Sequence, residues 1–314
     1  MGLEDIKTVA VLGAGTMGEG IAQVFAQQEM QVTLADINPD VLERSRIHIM
    51  SSLELFMEYG LISETPPAVA SKITYFREAS EAVHNCDFVV ETISEVLEEK
   101  KKLYAQLDSL PANVIIASNT SSIPITQLAE NMKTSHRVIG VHYFNPPQIM
   151  PLVEIHLGEN TGEQVFEKTY QLMTKVGKKP IIIRKAIPGF VVNRITGAMM
   201  REIYHLLEEG VVTPEDLDTA MKNSTGFKMS CLGPMELEDM AGLDIASKVH
   251  ARTFETLENS REIPLLLREK VNRNELGVKS GEGWLDYGGM PREQITERIN
   301  RVLLQQWALL KSRR

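Results

Sequence analysis

A histidine and a glutamate in consecutive strand-like segments have the clearest chemical potential in this 314-residue chain. His142 follows the apolar run 138–141, and Glu154 lies in the next apolar segment, 152–157. Because the loop 145–148 is too short for a crossover helix, the second segment should fold back antiparallel and bring the carboxylate to the imidazole. Such a pair fixes the tautomer of the imidazole, raises its basicity and stabilises the imidazolium that forms on proton uptake. The spacing therefore predicts a general base.

A glycine-rich turn near the amino terminus indicates which kind of cofactor accompanies this base. The motif Gly13-Ala14-Gly15-Thr16-Met17-Gly18 follows an apolar strand-like segment and opens a helical one. Gly13 permits the turn, Gly15 lets the backbone approach a pyrophosphate, and Gly18 lets helix and strand pack closely. The N–H groups at the start of the helix would then receive the phosphates. This context predicts a dinucleotide-binding site.

The acid that follows the second predicted strand selects the dinucleotide. Asp36 comes directly after the segment 31–35, where it can accept hydrogen bonds from a ribose 2′-hydroxyl and would repel a 2′-phosphate. No arginine or lysine follows it before Arg44, so NAD is favoured over NADP. Thr16 and Met17, at the start of the first helix, complete the predicted cofactor contacts.

The base and the NAD motif together predict hydride transfer. A secondary alcohol needs a base when it loses hydride, because its hydroxyl proton must leave at the same time. The polar segment 118–122 also follows a predicted strand, at the edge of the sheet where catalytic groups lie. Its hydroxyls could instead cap a helix, and Asn145 could simply begin the Asn-Pro-Pro turn. The other histidines are expected to be structural: His48, His84, His136, His156, His205 and His250.

Strand-like and helical segments alternate over the first ~190 residues, which predicts an α/β fold with a doubly wound, mostly parallel sheet, antiparallel at one edge. Pro188-Gly189 marks the predicted boundary. Residues 1–187 would form a Rossmann-type NAD-binding domain, with a helical hairpin projecting from the sheet at about 41–74. Residues 188–314 would form an all-α domain for dimerisation and closure of the cleft. The predicted strands are 9–12, 32–35, 73–76, 88–92, 114–118, 138–142, 152–157 and 180–184.

Composition narrows the class of protein. A net charge of −9 argues against a nucleic-acid partner, and no basic stripe is visible. No segment approaches the ~20 apolar residues that cross a bilayer, and the first seven residues do not resemble a secretory signal. Cys86 and Cys231 lie far apart and are expected to be free thiols in a reducing compartment, the cytoplasm. No metal site is predicted.

These motifs, in this order, resemble the L-3-hydroxyacyl-CoA dehydrogenases over almost the whole chain. The resemblance implies a catalytic His142–Glu154 pair, with Ser121 and Asn193 contacting the reacting oxygen or the nicotinamide. The motifs that carry it, besides the glycine loop, are Ser118-Asn119-Thr120-Ser121-Ser122, His142-Tyr143-Phe144-Asn145-Pro146-Pro147, Leu152-Val153-Glu154, Pro188-Gly189-Phe190-Val191-Val192-Asn193-Arg194, Gly233-Pro234, Gly242-Leu243-Asp244 and Leu276-Gly277-Val278-Lys279-Ser280-Gly281.

The same resemblance implies further properties. Glu95, Lys100 and Asn145 would be contacts on the cofactor side, although the first two could instead be solvated charges at the helix 98–107. The enzyme would be a homodimer through its helical domains. Its substrate would be a short-chain (S)-3-hydroxyacyl-CoA, such as 3-hydroxybutyryl-CoA, which would place it in fatty acid metabolism.

Three departures from the family pattern keep a second substrate class open. Acyl-CoA members carry lysines on the helical hairpin that receives the CoA nucleotide, whereas the segment 51–60 has two glutamates and no cation. The approach to Gly233-Pro234 is longer than usual, and the helix after Tyr287 is an extension. Both are reminiscent of dehydrogenases of small free hydroxy acids such as L-gulonate and carnitine, in which Lys228 could pair with a substrate carboxylate. It could equally be a surface lysine. A third possibility, a non-catalytic NAD-binding protein similar to crystallins, conflicts with the intact His142–Glu154 pair.

Overall fold

One eight-stranded sheet organises the first part of the chain in a computed structural model that describes residues 6–312. The strand order is β3-β2-β1-β4-β5-β6-β7-β8, so the sheet is doubly wound, and the predicted fold class is confirmed. β7 runs antiparallel to β6 and parallel to β8, as the short loop between β6 and β7 requires. The strands are β1 (Thr8–Leu12), β2 (Gln31–Ala35), β3 (Ile73–Phe76), β4 (Phe88–Glu91), β5 (Ile115–Ser118), β6 (Val138–Tyr143), β7 (Leu152–Leu157) and β8 (Lys179–Ile183).

Helices cover both faces of this sheet, which is why its central strands are buried throughout. One apolar core lies under α1, α2, α3 and α7, and a second lies under α4, α5 and α6. The helices of this part are α1 (Thr16–Ala26), α2 (Pro39–Glu58), α3 (Pro66–Ala70), α4 (Ala79–Ala82), α5 (Leu97–Leu107), α6 (Ile125–Leu128) and α7 (Glu163–Lys175), with a 3-10 turn at Ser135–Arg137.

The insertion at about 41–74 contains a long helix and a short one. α2 has 20 residues and α3 has five, so the two arms of the expected hairpin are unequal. Leu42, Ile49 and Leu53 lie on one face of α2 and are buried in the same core as the apolar residues of α1. The burial of these residues packs α2 against α1 and α3, and the projection of the hairpin from the sheet stays a prediction.

The described chain divides into two compact units, residues 6–191 with 300–312, and residues 192–299. The second unit is helical, with two short bridges at Gly277–Glu282 and Glu282–Asp286. Many of its apolar side chains are exposed, among them Phe227, Met235 and Leu243. The helices after the sheet are α8 (Val192–Glu208), α9 (Pro214–Lys222), α10 (Thr225–Met229), α11 (Pro234–Ala241), α12 (Leu243–Thr253), α13 (Leu265–Asn272) and α14 (Arg292–Ser312).

Residues 300–312 group with the first unit, whereas the sequence pattern assigned them to the helical domain. Trp307 packs edge-on against Phe56 of α2, with ring centroids 5.7 Å apart, and Leu304 is buried in the same cluster. Arg301 donates a 2.6 Å hydrogen bond to Glu58. A small apolar core and an ion pair therefore hold this part of α14 on α2. Among residues 6–312, no helix is both long and apolar enough to span a bilayer.

Candidate active site

The strand register places His142 beside Glu154. The two residues are directly opposed on β6 and β7, and His142 Nδ1 lies 2.8 Å from Glu154 Oε2. Glu154 is fully buried and His142 is 6% exposed, so the pair is shielded from water. A carboxylate can only accept, so Nδ1 must carry the proton, and Nε2 is left with a lone pair. The arrangement can accept a proton at Nε2 and stabilise the imidazolium that results.

Of the three glycines of the loop, Gly13, Gly15 and Gly18, only Gly15 has open space where a side chain would project. A Cβ at Gly18 would lie 1.7 Å from the carbonyl oxygen of Gly13, and Gly13 itself has a φ of +102°. Packing and backbone conformation within the protein therefore require both of these glycines. A Cβ at Gly15 would have no protein atom within 4 Å. The missing side chain of Gly15 thus opens space beside the first turn of α1, where an approaching phosphate needs it.

The start of α1 and the end of β2 complete a site that fits NAD. Gly15 is the N-cap of α1, and no side chain caps the N–H groups that begin at Thr16 and Met17. Asp36 accepts hydrogen bonds from the N–H groups of Ala14 and Asn38, at 2.9 and 3.0 Å. These bonds hold its carboxylate against the glycine loop, in the place expected for a partner of the ribose hydroxyls.

Glu95 organises the polar segment that follows β5. Its Oε1 accepts hydrogen bonds from the Thr120 hydroxyl at 2.5 Å, from the Ser121 and Ser122 N–H groups, and from the Ser122 hydroxyl. Burial raises the pKa of Glu95, but the hydrogen bonds from Thr120 and Ser122 and the charge of Lys100 outweigh burial, and the pKa is lowered. The ionised carboxylate therefore fixes the backbone of Ser121, which is half-buried, beside exposed Ser122.

Lys100 is buried beneath this segment and is not a solvated charge of the helix surface. Its side chain is 1% exposed, and its Nζ donates to Glu91 Oε1 at 2.6 Å and to the Ile93 carbonyl at 3.4 Å, and pairs with Glu95 Oε2 at 3.2 Å. Its burial excludes the solvated charge that was the alternative, and its role on the cofactor side stays a prediction. Lys100 thus links Glu95 to the end of β4.

Sequence reasoning missed Glu91 altogether. This residue ends β4 and is fully buried, and it also accepts hydrogen bonds from the Ser118 hydroxyl at 2.7 Å and the Ile93 N–H at 2.9 Å. A buried carboxylate with several donors and a lysine partner is a structural anchor for the ends of two neighbouring strands. The available signal was an acid at the end of the apolar run 88–90, at the edge of the sheet that carries the site.

The remaining predicted residues lie apart from these networks or in the other unit. Asn145 is exposed in the loop after β6, and Asn193 is exposed in the first turn of α8, in the second unit. Their roles stay predictions. Lys228 lies on the short helix α10 of the second unit and is exposed. No cluster of three or more metal-ligating side chains occurs among the described residues.

His156 is a buried histidine next to the candidate base. It lies two residues after Glu154 on β7, and neither of its ring nitrogens has a hydrogen-bond partner within residues 6–312. Burial, reinforced by the nearby His142, lowers its pKa to about 3. His156 is therefore a neutral, apolar-like ring at any physiological pH.

This burial predicts a loss of stability in acid. The unfolded chain binds a proton at His156 below its ordinary pKa of about 6.5 and the folded chain does not, so stability falls as pH drops from there towards 3. Between pH 7.5 and 5 this residue alone should cost about 2 kcal/mol. Urea unfolding at both pH values should show that His156→Leu removes this difference, whereas exposed His84→Leu keeps it. An identical pH dependence in wild type and His156→Leu would refute the assignment.

Comparison with known proteins identifies the family. A sequence model of the NAD binding domain of 3-hydroxyacyl-CoA dehydrogenase matches residues 8–187, and one of the C-terminal domain matches residues 189–287. The chain belongs to the 3-hydroxyacyl-CoA dehydrogenase family. The resemblance inferred from the motifs is confirmed, and so are the NAD cofactor and the class of enzyme, an NAD-dependent oxidoreductase.

The similar proteins include enzymes named for two kinds of substrate, a pyridine carboxylate and an acyl-CoA. 5-Formyl-3-hydroxy-2-methylpyridine 4-carboxylate 5-dehydrogenase from Mesorhizobium japonicum is 36% identical over 90% of this chain and 91% of its own. A probable 3-hydroxybutyryl-CoA dehydrogenase from Bacillus subtilis is 37% identical over 90% of this chain and 98% of its own. The family is therefore shown by sequence, whereas the two relatives leave the substrate open.

The solved structures of these two kinds of relative differ in how closely they superpose on this chain. The crystal structure of the pyridine carboxylate dehydrogenase, an NAD+-dependent dismutase, superposes with a TM-score of 0.90 at 33% identity, over 98% of this chain and 99% of that one. (S)-3-Hydroxybutyryl-CoA dehydrogenase from Ralstonia eutropha superposes with a TM-score of 0.72 at 36% identity, over 90% of this chain and all of that one. The match to the non-CoA enzyme thus extends over a further 8% of this chain.

Proposed function

We propose that this protein is an NAD-dependent dehydrogenase of a small free carboxylic acid, oxidising a hydroxyl-bearing carbon without a CoA carrier. This is the second of the two substrate classes left open by the sequence. The observation that carries it is the structural match over 98% of the chain, at a TM-score of 0.90, to an enzyme of a free pyridine carboxylate. The match to a hydroxybutyryl-CoA enzyme covers 90% at a TM-score of 0.72.

The segment on α2 supports the same substrate class. The sequence model of the C-terminal domain ends at residue 287, so α14 lies beyond it. Residues 300–310 pack on the carboxyl-terminal end of α2, the helix that would receive a CoA nucleotide by family resemblance. That end of α2 carries Glu54 and Glu58, and Arg301 is paired with Glu58. A polyanionic nucleotide would find no cation within 51–60 to bind it.

The proposed reaction uses the His142–Glu154 pair as its base. His142 Nε2 removes the proton of the substrate hydroxyl, and Glu154, on the other side of the ring, stabilises the imidazolium. Ser121, held by Glu95, and Asn193 donate hydrogen bonds to the oxygen that becomes a carbonyl. NAD would be held by the glycine loop, the start of α1 and Asp36, and it supplies the acceptor of the hydride. Glu95 and Lys100 act through the segment that they position.

The proposal extends to the oligomeric state and the cellular compartment of the protein. The exposed apolar side chains of the second unit, such as Phe227, Met235 and Leu243, support a homodimer through this unit, and a monomeric mass in sedimentation would refute it. Neither Cys86 nor Cys231 forms a disulfide among the described residues, which supports a reducing compartment such as the cytoplasm. A place in fatty acid metabolism would follow only if the substrate were an acyl-CoA.

The decisive experiment compares substrates with and without CoA on the purified protein. NADH oxidation at 340 nm is followed with acetoacetyl-CoA, and NAD reduction is followed with 3-hydroxybutyrate, L-gulonate, L-carnitine and the pyridine carboxylate of the M. japonicum enzyme. We expect turnover of a free acid and none of the thioester. Faster turnover of acetoacetyl-CoA than of every free acid would overturn the proposal in favour of a 3-hydroxyacyl-CoA dehydrogenase, which the B. subtilis relative supports.

A matched pair of lysine variants tests how a free carboxylate is recognised. If Lys228 on α10 pairs with the substrate carboxylate, Lys228→Met should raise KM about 10-fold or more with little change in kcat, because a charged hydrogen bond common to ground and transition state is lost. Lys222→Met is the control, since Lys222 is exposed and pairs with Asp218 four residues away. Equal KM values in the two variants would exclude Lys228 from the substrate site.

A further inference from the structure

The segment that ends the first unit has an unusual backbone. Gly189 and Phe190 are consecutive residues with positive φ angles of +78° and +47°. Glycine takes this left-handed conformation easily, whereas a bulky residue such as phenylalanine does so rarely. A conformation of this kind persists only where the surroundings hold it. The contacts of Phe190 and of the residue after it show what holds it.

The side chain of Phe190 is wedged between two histidines. It is 2% exposed, and its ring centroid lies 5.5 Å from that of His142 and 4.2 Å from that of His156. His156 in turn packs on the bare backbone of Gly140, where a Cβ would come within 2.1 Å of its Nε2. The layer Gly140–His156–Phe190 therefore supports one side of the His142 ring. Phe144 also packs against this ring, at 4.7 Å.

The backbone after Phe190 reaches the other member of the pair. The N–H of Val191 donates a 3.2 Å hydrogen bond to Glu154 Oε1, while Glu154 Oε2 accepts from His142 Nδ1 at 2.8 Å. Because each oxygen accepts at least one hydrogen bond, the plane of the carboxylate is fixed. The left-handed residues immediately before Val191 set the direction of its N–H. One short segment therefore contacts both members of the pair, His142 through the ring of Phe190 and Glu154 through the N–H of Val191.

We infer that Phe190 is a positioning residue for the His142–Glu154 pair. Its left-handed backbone aims the Val191 N–H at Glu154, and its ring keeps His142 in the orientation that directs Nδ1 to the carboxylate and Nε2 away from it. The neutral His156 ring is the spacer behind Phe190. The inference rests on the proposed use of His142 as a base, and it predicts that this segment controls the tautomer and not only the stability of the fold.

Two substitutions separate the contributions of the ring and the N–H. Phe190→Leu removes the aromatic contact, and Val191→Pro removes the donor, while Val191→Ala keeps the N–H and changes only a side chain that is 41% exposed. We expect kcat to fall about 100-fold in the first two, as for a misplacement of a reacting group by about 1 Å. Val191→Ala should stay within about twofold of wild type, and the Kd of NADH should be unchanged in all three.

The tautomer of His142 is the measurement that a merely structural role would not change. In 15N-histidine-labelled protein, with the signal assigned through His142→Gln, the wild type and Val191→Ala should show a proton on Nδ1 alone. Phe190→Leu and Val191→Pro should show a mixture with the proton on Nε2. A wild-type tautomer together with a wild-type kcat in Phe190→Leu would overturn the inference, whether or not Val191→Pro folds. Because the spectrum needs no substrate, it tests the inference even if the proposed substrate class is wrong.

Discussion

Replacement of His142 by glutamine is expected to lower kcat by about 10²–10⁴-fold, the usual contribution of a general base. The glutamine amide can still donate a hydrogen bond to the buried Glu154 carboxylate, so the fold should not be left with an unpaired charge. The loss therefore reports on proton transfer. Steady-state assays with whichever substrate is turned over, at several pH values, provide the measurement.

The control for this prediction is His84→Gln, because His84 is exposed and far along the chain from both strands of the pair. NADH binding, followed by its fluorescence, should be the same in both variants and in the wild type. If His142→Gln kept more than a tenth of the wild-type kcat, the base would lie elsewhere, and the role proposed for Phe190 would lose its basis.

The second large effect is expected at Lys100. Lys100→Met should lower the free energy of unfolding by about 3–5 kcal/mol, because it leaves the fully buried Glu91 carboxylate without a counter-charge. The same change should loosen Glu95 and the segment that carries Ser121, so kcat should fall as well. Urea unfolding followed by intrinsic fluorescence measures the first effect, and steady-state assays measure the second.

The adjacent lysine is a matched control. Lys101 belongs to the same helix and pairs with Glu130, but that pair lies at the surface, with side chains 25% and 60% exposed, so Lys101→Met should leave the unfolding free energy nearly unchanged. The double variant Glu91→Gln/Lys100→Met should recover part of the stability, since it removes the buried charge along with its partner. An equal decrease of the free energy of unfolding in Lys100→Met and Lys101→Met would show that the buried ion pair of Lys100 does not contribute more to stability than a surface pair.

The parts of the fold that follow local rules could be predicted from the sequence. Each strand of the sheet is an apolar run ended by turn residues, and the short loop 145–148 required β7 to reverse, which opposed His142 and Glu154. Gly18 could be predicted because the glycine spacing of the motif encodes a steric requirement. The 1.7 Å that would separate a Cβ at Gly18 from the Gly13 carbonyl oxygen shows that requirement directly. These features depend on residues close in sequence.

Features that depend on distant contacts could not be predicted in this way. Lys100 lies in the charged stretch 98–102, which is typical of a solvated helix surface until β4 brings Glu91 beneath it. The amphipathic pattern of α14 predicts a helix but does not identify its partner, so its packing on Phe56 was missed. His156 was predictable in part, because residues two apart on a strand share a face, and Glu154 had already been assigned to the site.

The packing of residues 300–310 on α2 makes the nucleotide-binding unit discontinuous along the chain. During synthesis, residues 192–299 emerge between its two parts. The side chains of Phe56 and Ile149 therefore stay exposed to solvent until α14 has been synthesised and packs on them. A fragment that stops at residue 191 contains all eight strands and the glycine loop, yet it would expose this apolar patch. Isolated production of the NAD-binding part therefore requires grafting the α14 segment onto it or supplying that segment as a separate peptide.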